Sequence, residues 1–123
     1  MVKLVYILRR RDDITPEKFH DYWLNNHGPL VRSFVKAIRA RKYIQSHTIA
    51  PELGAEIAAT RGMGAGYDGI TEVWWDSLED LSAGFSTPEG REAGRALLED
   101  EAKFIDFARS YIFLTEEHTI FDL

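Results

Sequence analysis

His27 is the residue of this chain whose chemistry sits least comfortably with its neighbours. Phe19, Trp23 and His27 lie four residues apart, and Tyr22, Leu30, Val31 and Phe34 extend the same stripe. Residues that recur every three or four positions share the face a helix buries. An ionisable ring therefore falls in the middle of a face that should be dry. There an imidazole either satisfies a core hydrogen bond or moves protons, because its ordinary pKa of about 6.5 lets it take and return one near neutrality. Tyr43, Gln45 and His47 form a second set, alternating along a strand-like run and so sharing one side of it. A phenol and an amide are donors suited to an oxygen that gains negative charge, and His47 adds another imidazole. The plainer reading is an open sheet edge at Gln45 and His47, with Tyr43 simply packing.

Tyr6, Trp23 and Trp75 are expected as apolar walls of the same pocket, although core packing accounts for them equally. Tyr67 and Asp68, at the entry to a strand, complete the expected substrate contacts. Asp68 can instead point with Glu72 to the opposite, dimer-facing side of the sheet and pair there with a basic residue such as Lys42 across the interface, since a buried carboxylate needs a partner. His20 and His27 are seven apart and nearly eclipsed on a continuous helix, which raises metal binding. No carboxylate stands three or four residues beyond either one to complete a ligand set, Glu17 points outward from the first turn, and neither HExxH nor any cysteine is present. No metal is expected. Gly62, Gly64 and Gly66 precede a strand instead of linking strand to helix, so they are not a nucleotide signature, and no cofactor is expected.

Positioning these groups falls to one domain spanning residues 1–123, long enough for a single core. Net charge is −5, and the one basic run, Arg9-Arg10-Arg11, is followed directly by Asp12-Asp13. Nucleic-acid binding needs a basic footprint and is not expected. The absence of cysteine excludes disulfides and thiol chemistry. No apolar run approaches a membrane span, and the N-terminus enters a strand pattern directly, so a cytoplasmic protein without membrane association is expected.

Lys3–Arg9 reads as strand one. Thr15 caps a helix with Pro16 at its first position and Glu17 at its positive end, running to about Asn26 and stopped by Gly28-Pro29. A second helical segment follows from Pro29 to about Ala37, then strand two from Arg41 to Ile49. Residues 50–67 carry four glycines and read as a long loop with a turn of helix near Glu56–Ala59, either a functional lid or a disordered segment or plain insertion. Asp68–Trp75 is strand three. Ser77 and Thr87 cap two further helices, the second carrying Ala93, Leu97, Leu98, Glu101 and Ile105 on or near one face. Ser110–Thr115 is strand four, and the 116–123 tail ends on Ile120, Phe121 and Leu123.

The order β-α-β-β-α-β is the split βαβ arrangement, an α+β ferredoxin-like fold with a four-stranded antiparallel sheet. Strands one, three and four are apolar on both faces, but helices can cover only one. A second copy of the sheet would shield the other, which predicts a homodimer through the sheet faces with Trp74 in the interface.

The stretch Lys3-Leu4-Val5-Tyr6-Ile7-Leu8-Arg9-Arg10, the pattern Phe19-x-x-Tyr22-Trp23-x-x-x-His27-x-Pro29, Tyr43-x-Gln45-Ser46-His47 and Asp68-Gly69-Ile70-x-Glu72-x-Trp74-Trp75 together resemble an EthD domain. The resemblance implies the dimeric α/β-barrel superfamily, in which two ferredoxin-like protomers face each other through their sheets. It also implies a pocket between sheet and helices with a histidine, a tyrosine and apolar walls, and His27 matches the family's helix histidine. Chemistry across the superfamily ranges over dehydratases, decarboxylases, lactone isomerases, aromatic cyclases, cofactor-free monooxygenases and haem enzymes, so fold alone does not choose. The expectation is a cofactor-independent lyase or isomerase acting on a small aromatic, polyketide-like or lactone metabolite. In it His27 is general base and acid, Tyr43 holds the oxygen, and His47 and Gln45 orient the substrate. The alternatives are a non-catalytic metabolite-binding accessory protein and a cofactor-free monooxygenase.

Overall fold

Four strands form one antiparallel sheet because each run of β-branched and aromatic residues is short and bounded by turn or helix-capping residues. They are β1 (Val2–Leu8), β2 (Lys42–His47), β3 (Gly69–Trp75) and β4 (Tyr111–Thr115), in the spatial order β2-β3-β1-β4. Residues 1–123 are all described by the computed structural model. Between the strands lie α1 (Pro16–Tyr22), α2 (Gly28–Ser33), α3 (Pro51–Ala59), α4 (Leu78–Ser86) and α5 (Pro88–Glu101). The fold is the expected α+β ferredoxin-like one. The expected caps are in place: Thr15, Ser77 and Thr87 accept hydrogen bonds from the backbone N–H groups of Lys18, Asp80 and Gly90.

The register assigns the two faces. Leu4 opposes Val73 and Tyr6 opposes Thr71, while Tyr43 opposes Val73 and Gln45 opposes Thr71. These residues share the helix-covered face. Leu8, Phe19, Trp23, Phe104 and Ile105 form its buried centre, with Tyr6, Ile14 and Tyr22 packed against it.

Three expectations are corrected here. Gly28-Pro29 does not stop the first helix. Residues Trp23–His27 form one wide π-type turn, closed by the Gly28 N–H donating to the Trp23 carbonyl, and α2 follows without a break. Proline lacks an N–H and its ring strikes the carbonyl four residues back in a regular helix, so a widened turn is a place where it can be passed. Residues 50–67 are not all loop: α3 occupies nine of them, with Pro51 in its first turn and no buried residue. The third correction concerns the outer face. Trp74 is only 7% exposed within a single chain. Its indole N–H donates to Glu117 at 2.5 Å, and the ammonium groups of Lys3 and Lys42 lie 5.3 and 4.7 Å from its ring centroid. Trp74 is thus covered by its own tail and lysines, not held open for a partner. Within the chain Glu72 pairs with Lys3 at 2.7 Å.

Gly69, the first residue of β3, lies under the Trp23 ring. A methyl group there would stand 2.5 Å from Trp23 Cζ3 and 2.7 Å from the Ser46 carbonyl oxygen. Overpacking of this kind costs about 1–3 kcal/mol. Gly69→Ala is expected to lower the unfolding free energy by that amount in urea titration, with a matching change in Trp23 fluorescence.

Candidate active site

The stripe from Phe19 to Val31 delivers Trp23 and His27 to a cavity of about 190 Å³ between the sheet and the helices. Of the 17 residues lining it, 13 are hydrophobic, and His27, Glu101 and the phenols of Tyr6 and Tyr43 supply most of its polar groups. Trp75 and Trp23 line it. His27 is 4% exposed, so every polar atom on it needs a partner or a ligand.

Its Nδ1 lies 2.7 Å from Asp100 Oδ2. An ionised carboxylate can only accept, so Nδ1 carries the proton and Nε2 presents a lone pair. Asp100 is fixed from its other oxygen by the Tyr22 hydroxyl, which donates at 2.5 Å, while Lys103 approaches at 3.4 Å from the solvent side. Burial works against the Asp100 charge, but the hydrogen bonds from Tyr22 and His27 outweigh it and hold the carboxyl below its ordinary range. Burial pushes His27 below its ordinary value despite the Asp100 partner, so the ring is neutral at pH 7.

On the cavity side, His27 Nε2 stands 3.8 Å from Glu101 Oε2, too far for a hydrogen bond. Glu101 is pushed up to about 7, mainly by burial and secondarily by the Asp100 charge, with the Tyr6 phenol drawing it back. Burial likewise raises Tyr6 and Tyr43, so both phenols are neutral donors. The site therefore holds a neutral imidazole with a free lone pair, a carboxyl that titrates near neutrality, and two O–H groups in apolar walls.

Sequence reasoning missed Asp100, Glu101 and the role of Tyr22. One signal was present: Glu99, Asp100 and Glu101 crowd the C-terminal turn of α5, where the helix dipole disfavours negative charge. Acids placed against that field need another reason to be there.

Several expected contacts are displaced. His47 and Gln45 share Tyr43's face but do not line the cavity. Gln45 Nε2 donates to the Trp23 carbonyl at 2.8 Å and lies 3.2 Å from the Tyr43 hydroxyl oxygen. Its carbonyl faces His47 Nε2 at 2.8 Å, so His47 donates there and its Nδ1 accepts from His20 Nδ1 at 2.9 Å. His47 stacks on Trp23, with ring centroids 4.3 Å apart. These side chains buttress the wide turn from behind. The extra residue in that turn shifts the helix phase, so His20 meets β2 while His27 meets α5, and the eclipsed pair considered for a metal does not exist. Nowhere do three His, Asp or Glu side chains converge as a metal-ligand set. Tyr67 lies under the Arg9 guanidinium, 4.2 Å from ring centroid to Cζ, and anchors the loop. Asp68 accepts from the Arg10 backbone N–H at 2.8 Å. Neither reaches the cavity.

The class so defined is a ferredoxin-like α+β protein with an acid–imidazole pocket between sheet and helices. The chain belongs to the EthD family: the EthD domain model matches residues 11–108. An ethyl tert-butyl ether D (EthD) family protein from Bacillus halodurans superposes with a TM-score of 0.65 at 22% identity, covering 96% of this chain and 99% of that one. A dimeric ferredoxin-like protein of unknown function from Thermobifida fusca gives 0.57 at 17% identity, covering 93% and 88%. A Deinococcus radiodurans protein, provisionally described as an antibiotic biosynthesis monooxygenase, gives 0.54 at 13%, covering 100% and 98%. At these identities the likeness is one of fold. No curated protein matches the sequence.

The raised Glu101 makes a signed prediction. Below about pH 4.5 the carboxyl is protonated whether the chain is folded or unfolded, and it costs nothing. Between there and about 7 only the unfolded chain gives up its proton, so stability falls as pH rises. Above 7 the full cost is reached, about 3 kcal/mol at ~1.4 kcal/mol per pH unit. Urea unfolding of Glu101→Gln at pH 5 and pH 8 is expected to show a stability gain over the parent at pH 8 that shrinks by most of that amount at pH 5.

Proposed function

We propose that the protein is a proton-transfer enzyme, a cofactor-independent lyase or isomerase acting on a small carbonyl or phenolic metabolite of aromatic, polyketide-like or lactone type. The observation that carries this reading is the open lone pair of a neutral His27 facing a cavity, with Asp100 holding the opposite nitrogen. A histidine serving only as core filler needs an acceptor for its N–H, which Asp100 supplies, but no empty space before its other nitrogen. His27 Nε2 removes a proton from carbon beside a carbonyl, the electron pair moves onto oxygen, and the Tyr6 and Tyr43 hydroxyls stabilise the resulting enolate. Return of the proton at another carbon is isomerisation. Loss of a β-hydroxyl as water, with Glu101 supplying the proton, is dehydration. Cyclisation and decarboxylation use the same groups. His47 and Gln45, first expected to touch substrate, act in this reading through the turn that carries His27.

A D₂O assay tests this without knowledge of the natural substrate. Deuterium incorporation beside the carbonyl of aryl ketones and lactones is followed by proton NMR. His27→Ala is expected to lower the enzyme-dependent rate by about 10²–10⁴-fold, as is usual for a general base. Tyr43→Phe is expected to lower it less, with the fold retained by circular dichroism. Full exchange by His27→Ala would end the proposal and favour the accessory, metabolite-holding role. The fold shared with the Deinococcus protein keeps a cofactor-free monooxygenase as the competing enzymatic reading. Oxygen consumption with a phenolic substrate distinguishes it.

We further propose that the protein is a homodimer through the outer sheet face. Ile44, Ile70, Tyr111 and Phe113 all stand on that face and are 37–60% exposed, an apolar patch that a second copy would cover. The expected result in sedimentation equilibrium is a dimer that Phe113→Asp converts to monomer without loss of secondary structure.

A further inference from the structure

The cavity holds no cation. None of its 17 lining residues is lysine or arginine, and its one acid, Glu101, has only the His27 imidazole, 3.8 Å away, as a basic neighbour. Several cations are engaged elsewhere, and Arg32 lines the adjoining cleft, not this cavity. Lys3 and Lys42 cover Trp74 on the opposite face of the sheet, Lys103 meets Asp100 from solvent, and Arg9, Arg10 and Arg11 hold the 65–68 loop, Asp68, Asp13 and the end of α5. An anionic ligand would enter beside a carboxylate in an apolar enclosure, with no charge to compensate its lost hydration. Size adds a second limit. The space before His27, about 190 Å³, falls below the roughly 300–1,000 Å³ of drug-sized pockets and lies near the ~150 Å³ that accommodates a benzene ring, while the wider cleft sharing Val31, Ile38 and Tyr43 with it offers no acid or imidazole.

We infer that the site selects an uncharged molecule of about one substituted ring, bearing carbonyl or hydroxyl oxygens and no carboxylate or phosphate. Resting on the proton-transfer reading above, this narrows the reaction to isomerisation, dehydration or cyclisation of a neutral carbonyl compound. Decarboxylation of a free acid drops out, because such a substrate must bind as the anion the cavity repels. Reactions that leave a neutral ketone, ester or lactone are the class that must supply this enzyme.

The groups that face Glu101 are His27 from the wide turn, Tyr6 from β1 and Asp100 from its own helix. Among them Glu101 is the one whose charge changes near neutrality on the cavity side.

Acetophenone, benzoate and phenethylamine share one ring and differ in charge, and their binding is read by calorimetry on the full chain at pH 8 and pH 5.5. Acetophenone is expected to bind at least about tenfold more tightly than benzoate at pH 8. Benzoate, which stays ionised over this range, is expected to gain affinity at pH 5.5 as Glu101 takes up a proton. Glu101→Gln is expected to raise benzoate affinity at pH 8 and to abolish its gain at pH 5.5. Benzoate binding as tightly as acetophenone at pH 8, or phenethylamine binding more tightly than the ketone, overturns charge selection. Binding does not require turnover, so the two proposals fail separately. Neutral-ligand selectivity without deuterium exchange sinks only the enzymatic reading, and exchange without selectivity sinks only this one.

Discussion

The hydrogen bond between His27 and Asp100 is the constraint around which the rest of the site is arranged. It joins the wide turn after α1 to the last turn of α5, two segments separated by 73 residues in the chain. An imidazole buried in an apolar layer without a partner would carry an unsatisfied N–H, at a cost of about 1–3 kcal/mol. A carboxylate in the same place would be worse off alone. Each makes the other tolerable, and together they fix which ring nitrogen bears the proton. The lone pair that remains points where no side chain of the protein takes it up.

The acidic end of α5 divides its labour by solvation. Asp100 is surrounded by donors, the Tyr22 hydroxyl and the His27 N–H, with Lys103 at its solvent edge. It stays ionised. Glu101, one residue on and turned toward the cavity, receives little compensation and is raised to about 7. Two neighbouring carboxyls in one helical turn thereby differ in charge at the same pH, as environments that push titratable groups apart are able to do. The negative end of the helix dipole bears on both, but Asp100 has several donors to resist it and Glu101 only the Tyr6 phenol.

Behind the cavity, the His20–His47–Gln45 chain serves shape. Gln45 holds the carbonyl of Trp23, which also accepts the N–H that closes the wide turn. The turn's departure from α-helical geometry leaves that carbonyl available to two donors, and β2 supplies the second. Trp23 is pinned between His47 on one side and the bare backbone of Gly69. Side chains that face the cavity in the simplest reading of β2 instead determine where the turn carrying His27 stands.

Much of the architecture was legible in the order of residues. The caps at Thr15, Ser77 and Thr87, the two-sided apolar strands and the stripe through Phe19, Trp23 and His27 are local patterns, and local patterns follow from period and propensity. They determined the ferredoxin-like order and brought His27, Tyr43, Tyr6, Trp23 and Trp75 to one layer. Glu101, its neighbour Asp100 and the covering of Trp74 by Glu117 were not legible, because each depends on a contact between segments far apart in the chain. Helix α3 was legible only as a turn near Glu56–Ala59 for a different reason: it buries nothing, so no hydrophobic period marks its full length. The sequence alone determined which residues share a face, since that is set by the repeat of each element. Which faces meet, and hence which acid stands against His27, was decided only by tertiary packing, because burial and partner charge exist only once distant elements come together.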